Sequence, residues 1–212
     1  MNETELKLKL TPEQYNFLLQ EARSSHTHVN VNYMCYFDTT NGRILKDKEM
    51  IRVSSQLPGK MGCIITHKSG RTVSDGVQSC EEIEHVIDCR DYTTSYNASW
   101  EPGKFVNSDE FLELELQILG IIEKDEKIVR VNSVPLINTR LKFLHLDVGL
   151  TLEVDQTLFP GRTDLELECE FDPSIQDNLD KVESLKNWLT KETGQPVIYQ
   201  EKGKFQRLLE LL

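Results

Sequence analysis

The sequence predicts an α+β domain dominated by antiparallel strands, and two observations carry that reading. At least seven segments read as strands, four of them alternating apolar and polar residues at period two, the mark of a strand with two unlike faces, and three as shorter β-like runs. Helix signals are few and stand where the alternation stops. A chain of 212 residues with 38% hydrophobic and 28% charged residues is long enough to bury a sizeable core. No linker, repeat or low-complexity tract divides it, so residues 1–212 are expected to form one domain.

Residues 2–10 open the chain as a strand, with Glu3, Glu5, Lys7 and Lys9 on one face and Thr4, Leu6, Leu8 and Leu10 on the other. Thr11, Pro12 and Gln14 supply an N-cap, a first-turn proline and the far member of a capping box, which predicts a helix over about residues 12–24. Shorter β-like runs come next at NYMCYFD (32–38), MIRVS (50–54) and GCIITHK (62–68), with a turn at Leu57-Pro58-Gly59. EEIEHVI (81–87) alternates again. FLELELQILGII (111–122) alternates in its first half, while its length and leucine content suit a helix; a helix is preferred. LEVDQ (152–156) and LELECEF (165–171) are strands, with a turn at Pro160-Gly161 between them. Asp172 and Pro173 then open a helix carrying Leu179, Val182, Leu185 and Leu189 at helical spacing, stopped by Gly194. A short helix is expected at 203–212.

The N-terminal MNETELKLKL has no apolar stretch flanked by positive charge, and no window approaches 18 uninterrupted apolar residues, so a cytoplasmic protein, neither secreted nor membrane-spanning, is expected. Five cysteines (Cys35, Cys63, Cys80, Cys89, Cys169) form no C-x-x-C pair and are expected to be reduced. His26, His28, His67, His85 and His145 show no metal-ligand spacing. A net charge of −11 disfavours nucleic acid and anionic membranes as partners. A polyanionic ligand would need cations between it and the protein.

The long alternating strands carry carboxylates at i and i+2: Glu3 and Glu5, Glu82 and Glu84, Glu153 and Asp155, then Glu166, Glu168 and Glu170. Two carboxylates so spaced lie about 7 Å apart on one face and repel. Each pair alone reads as the solvated face of an ordinary sheet. Four strands so marked also suit multivalent cations, which take hard oxygen ligands. Basic residues sit on strands too, at Lys7, Arg52, Lys68 and Arg140, with Lys204 near the C-terminus. Singly each is a surface charge; with the acidic strands they describe a site for metal and phosphate together.

The opening Glu3-x-Glu5-x-Lys7 resembles the E-x-E-x-K signature of the CYTH, or triphosphate tunnel metalloenzyme, family. The order of the later motifs is similar as well: YFDT (36–39), Arg52, Lys68, EEIE (81–84), NTR (138–140), LEVDQT (152–157), LELECE (165–170) and GKF (203–205). The succession looks closest to the plant-type inorganic triphosphatases and spans the chain apart from about 90–135. One departure stands out, since the family's arginine strand commonly reads R-x-R and here the second position is Ser54.

The resemblance implies an antiparallel eight-stranded β-barrel forming a tunnel, with helices packed outside, of a width that holds one small ligand. It implies that Glu3, Glu5, Glu166 and Glu168 bind Mg²⁺ or Mn²⁺, with Glu153, Asp155, Glu82 and Glu84 as candidates for a second ion or for positioning water. Lys7, Arg52, Lys68, Arg140 and Lys204 are then the phosphate ligands. The implied reaction is metal-dependent hydrolysis of inorganic triphosphate to pyrophosphate and phosphate by a monomer or homodimer. Thiamine triphosphate hydrolysis, cyclisation of ATP to cyclic AMP, and non-catalytic polyphosphate or nucleotide binding are the alternatives. No segment suited to reading a base or a thiazolium ring is evident, which favours the first.

Overall fold

The computed structural model describes residues 2–57, 62–88 and 106–212. Among them the elements run β1 (Asn2–Lys9), α1 (Pro12–Ala22), β2 (Thr27–Thr39), α2 (Arg43–Lys46), β3 (Met50–Leu57), β4 (Gly62–Ser74), β5 (Val77–Asp88), α3 (Val106–Ile118) and β6 (Ile128–Arg130). Then come β7 (Leu136–His145), β8 (Leu150–Phe159), β9 (Arg162–Glu170), α4 (Gln176–Thr193), β10 (Ile198–Tyr199) and α5 (Lys204–Leu209). The hydrogen-bonded strand order is β1-β5-β4-β3-β2-β7-β8-β9, and β9 returns to β1. This closed order is the antiparallel eight-stranded barrel with helices outside that the resemblance implies. β10 adds to β1, and β6 adds to β2. The chain divides into two compact units: Met1–Asn32 with Arg71–Glu81 and Leu136–Leu212, and Tyr33–Gly70 with Glu82–Pro135.

In the first unit the apolar faces of β1, β8 and β9 supply Leu6, Leu8, Leu152, Val154 and Leu167, which pack with Leu18 of α1 and Leu185 and Leu189 of α4. The capping box at α1 forms as expected. Thr11 Oγ1 accepts from Gln14 N at 3.2 Å, and Gln14 Oε1 accepts from Thr11 N at 3.0 Å. The predicted turn between β8 and β9 is a tight hairpin with Phe159 opposite Arg162, and Gly161 takes φ +77°, where a side chain would be strained. Gly194 closes α4 in the left-handed conformation, at φ +67°. That helix starts at Gln176, later than Asp172 and Pro173 predict. Asp172 instead accepts from Ser174 N and Oγ at 2.9 and 2.7 Å and closes a turn ahead of the helix.

The second unit has its own core, with Phe37, Ile44, Ile51, Val53, Ile65, Leu112, Leu116 and Ile128. The YFDT stretch ends β2 with Asp38, whose carboxylate accepts from Thr39 N at 2.7 Å and Ile44 N at 3.0 Å and so caps α2. The ambiguous stretch at 111–122 is helical through Ile118: Leu112 and Leu116, four apart, are fully buried, whereas Leu114 is exposed. Cys63 is disulfide-bonded, which corrects the expectation of five reduced thiols, while Cys35, Cys80 and Cys169 are free. Cys89 and the Pro58-Gly59 turn lie outside the described residues. No helix among the described residues is long and apolar enough to cross a membrane.

Candidate functional site

The register of the first unit turns scattered sequence charges into two rows. β8 sets Glu153 opposite Glu168 and Asp155 opposite Glu166 of β9. β7 places Lys142 beside Glu153 and Arg140 beside Asp155, and β1 places Lys7 beside Glu168 and Lys9 beside Glu166. Across β7, β8, β9 and β1 the rows therefore read Lys142, Glu153, Glu168, Lys7 and Arg140, Asp155, Glu166, Lys9. Each sets two carboxylates side by side between two cations. All eight share a face because every second residue of a strand does.

Most of these charges are taken out of water. Asp155 and Glu166 are 0% exposed, Glu168 4% and Glu5 5%. Lys7 Nζ lies 2.7 Å from Glu168 Oε1 and 3.0 Å from Glu5 Oε1. Arg140 donates from Nε and Nη2 to the two oxygens of Asp155 at 2.8 and 2.6 Å, and also to Glu153 and Glu168. Lys204, the first residue of α5, brings Nζ to 2.6 Å from Glu168, 2.9 Å from Asp155 and 3.2 Å from Glu166.

Burial by itself would push the Glu168 carboxyl up, but the charges of Lys204, Lys7 and Arg140 outweigh it and hold the group well below the usual carboxylate range. Asp155 shows the same balance, lowered against burial by Lys204 and Arg140. The Lys204 ammonium stands well above its ordinary value because Asp155, Glu166 and Glu168 overcome the effect of burial. Asp155, Glu168, Arg140 and Lys204 are thus charged groups held together in a nearly dry place. Glu166 keeps one oxygen, Oε1, buried without a hydrogen-bond partner.

Of the sequence-derived candidates, the structure brings Glu5, Lys7, Arg140, Glu153, Asp155, Glu166, Glu168 and Lys204 into this one network. Glu3 lies two residues along β1 from Glu5, and its carboxylate accepts from Cys80 Sγ at 3.2 Å. The other four candidates belong to the second unit. There Lys68 Nζ pairs with Glu82 at 2.7 Å, and Arg52 donates to Thr66 Oγ1 at 3.1 Å, which donates in turn to Glu84 at 3.5 Å. Arg52 Nε is buried with no acceptor. Ser54, at the position of the missing second arginine, is buried. His67 pairs with Glu49 at 2.9 Å, apart from Lys68 as the alternation requires.

Three residues of the first network were not among the candidates. Lys142 reaches Glu153 at 2.6 Å, and Arg207 of α5 binds Glu166 at 2.6 Å and Asp164 at 2.5 Å. Each had a signal: Lys142 is i+2 from Arg140, Asp164 is i−2 from Glu166, and Arg207 is one helical turn after Lys204.

No protein-family model matches the sequence, and no curated protein matches it. Among solved structures the chain is similar to HpAC1 from Hippeastrum, a candidate adenylyl cyclase described as having a dominant triphosphatase activity. The identity is 24%, over 98% of this chain and 95% of that one, with a TM-score of 0.74. It is also similar to a candidate adenylate cyclase from Bacillus halodurans, at 16% identity over 97% and 96% of the chains with a TM-score of 0.61. The PH1819 protein from Pyrococcus horikoshii is similar at 20% identity over 99% of both chains, also with a TM-score of 0.61. At these identities the likeness is one of fold, and the fold is the one implied by the CYTH resemblance.

Proposed function

We propose that the chain is a metal-dependent triphosphatase that hydrolyses inorganic triphosphate to pyrophosphate and phosphate. The observation that carries this is the buried ionic face of β1, β7, β8 and β9, where paired carboxylates stand between cations and Glu166 Oε1 has no partner. A carboxylate oxygen without a donor in a dry site is costly, and a hard divalent cation satisfies it. Glu166 and Glu168 with Glu3 and Glu5 would hold Mg²⁺ or Mn²⁺, and Glu153 and Asp155 would serve a second ion. When bound, the metal supplies neutralisation of phosphate oxygens and a more acidic water.

The protein's own groups do the rest. Lys7, Arg140 and Lys204 exchange their carboxylate partners for phosphate oxygens and offset the charge that develops on the transferring and leaving groups. Arg52 and Lys68 are assigned the same task, and the acceptor-free Nε of Arg52 supports that assignment. Glu82 and Glu84 orient these cations or the attacking water. The HpAC1 likeness supports triphosphate chemistry over cyclisation, and the absence of an evident base-reading segment points the same way.

Phosphate release measured on inorganic triphosphate, ATP and thiamine triphosphate, with Mg²⁺, Mn²⁺ or EDTA, tests the reading. The expected result is a higher kcat/KM for inorganic triphosphate than for the other two, and none with EDTA. Cyclic AMP and pyrophosphate from ATP would transfer the chain to the cyclase reading, and full turnover in chelator would overturn the mechanism.

A further inference from the structure

Lys204 comes from a segment of short elements: β10, two residues long, pairs with β1, and α5, six residues long, buries Phe205 and Leu208. Between these two anchors the segment is also tied by Arg71, a half-buried guanidinium on β4. Nη2 donates to Glu201 O at 2.6 Å, and Nη1 donates to Gln206 Oε1. Nε and Nη2 both donate to Gln78 Oε1, at 3.2 and 2.8 Å. Gln78 is buried, and its Nε2 donates to Gln200 O at 2.6 Å. A Cβ placed on Gly203 would stand 3.7 Å from the Arg71 Cζ, so the guanidinium also lies against the backbone next to Lys204.

Arg71 therefore grips the chain three residues before Lys204 and two residues after it. Gln206 Oε1 accepts from Gly203 N at 3.2 Å as well, which closes the start of α5 around the lysine. Among the described residues every hydrogen bond of this guanidinium goes to a neutral oxygen. An arginine's planar fork can bridge several fixed acceptors in this way where a lysine's single ammonium could not.

We propose that Arg71, seated by Gln78, is a positioning residue: it holds residues 200–206 so that Lys204 Nζ stands among Asp155, Glu166 and Glu168. The proposal rests on the triphosphatase reading for its kinetic consequence, and on geometry alone for the clamp. Loss of the clamp loosens the helix start that carries Lys204, and with it Arg207, which binds Glu166 but is given no phosphate contact, so most of its kinetic effect is expected to be contained within the effect of removing Lys204.

Two measurements on the full chain test it. Hydrogen exchange followed by mass spectrometry reads the clamp without any turnover: in Arg71→Met, exchange over residues 198–209 is expected to rise at least about tenfold while residues 150–170 keep wild-type protection. Turnover of inorganic triphosphate with Mg²⁺ reads the consequence: Arg71→Met lowers kcat/KM in the wild-type background, yet changes it by less than about twofold when added to Lys204→Ala. Unchanged exchange in 198–209 overturns the clamp, and multiplicative kinetic losses overturn the action through Lys204. Should Arg71→Met fold poorly, Gln206→Ala removes one arm of the clamp at an exposed side chain and is held to the same two outcomes. A wild-type protein that turns over no triphosphate, with 198–209 loosened in the variant, would retire the triphosphatase reading and leave the clamp in place.

Discussion

The two faces of β8 and β9 are equally buried and chemically opposite. One carries Leu152, Val154 and Leu167, between 0% and 1% exposed; the other carries Asp155 and Glu166 at 0%, with Glu153 and Glu168 at 6% and 4%. For the apolar face burial is its own reason, since each leucine removed from water contributes about 1.5 to 3 kcal/mol. For the ionic face it is not. Taking charges out of water costs several kcal/mol per ion, and apolar replacements of buried ion pairs are often neutral or stabilising. A sequence selected for stability alone would have made both faces alike. The difference separates what folds the first unit from what the first unit is folded to present.

Single substitutions on opposite faces break the comparison most sharply. Glu168→Gln keeps the shape of the side chain but removes the charge that Lys7, Arg140 and Lys204 share, so triphosphate turnover is expected to fall at least about 100-fold. Leu167→Ala, its neighbour on β9, should do the reverse: a loss of about 2 to 5 kcal/mol of stability in denaturant unfolding, with kcat and KM of the folded enzyme unchanged. Similar kinetic losses in both variants would show that the faces are not divided as described.

A smaller effect separates the first unit's network from an ordinary ion pair of the second. Arg43 donates from Nε and Nη2 to the two oxygens of Glu126, both at 2.9 Å, at the unit's periphery. That hydrogen bond holds Glu126 below its ordinary value. Because the folded value is the lower one, the pair stabilises the protein above the unfolded pKa, and the contribution is lost as pH falls through the folded value. Glu126→Gln should therefore cost about 0.5 to 1 kcal/mol at neutral pH, by urea midpoints. The cost should disappear once the pH is well under the ordinary carboxylate value of about 4. Activity is expected to be untouched at neutral pH.

The apolar face was the more legible of the two in the sequence. Leu6 and Leu8 of β1 and Leu185 and Leu189 of α4 follow directly from period two and period 3.6, and Thr11 and Gly194 mark helix ends by local chemistry. The ionic face was legible as a set of charges on one side of each strand, but not as a buried network. Period two says which residues share a face and is silent about whether water reaches it. Nor does it say which strands are neighbours: the pairing of Glu153 with Glu168 follows from a tight hairpin, whereas that of Lys7 with Glu168 joins residues 161 apart in sequence. Lys142 and Arg207 were passed over because each reads alone as a solvated charge. Arg71 carried no signal, since its partners Gln78, Glu201 O and Gln206 are neutral and the last two lie 130 and 135 residues away in sequence.

The central claim is that the ionic face binds metal and triphosphate together, and thermal unfolding in the presence of each tests it most directly. Lys7, Arg140 and Lys204 are tied to the carboxylates that would hold the metal, so either ligand alone must break pairs that the other would replace. Mg²⁺ with inorganic triphosphate is therefore expected to raise Tm by more than the sum of the two separate shifts. At about 100 times the dissociation constant the stabilisation is about 2.7 kcal/mol, which for a chain of this size corresponds to roughly 5 to 10 °C. Glu168→Gln should lose most of that joint shift. No shift from the pair, or the same shift in Glu168→Gln as in the wild type, would contradict the claim.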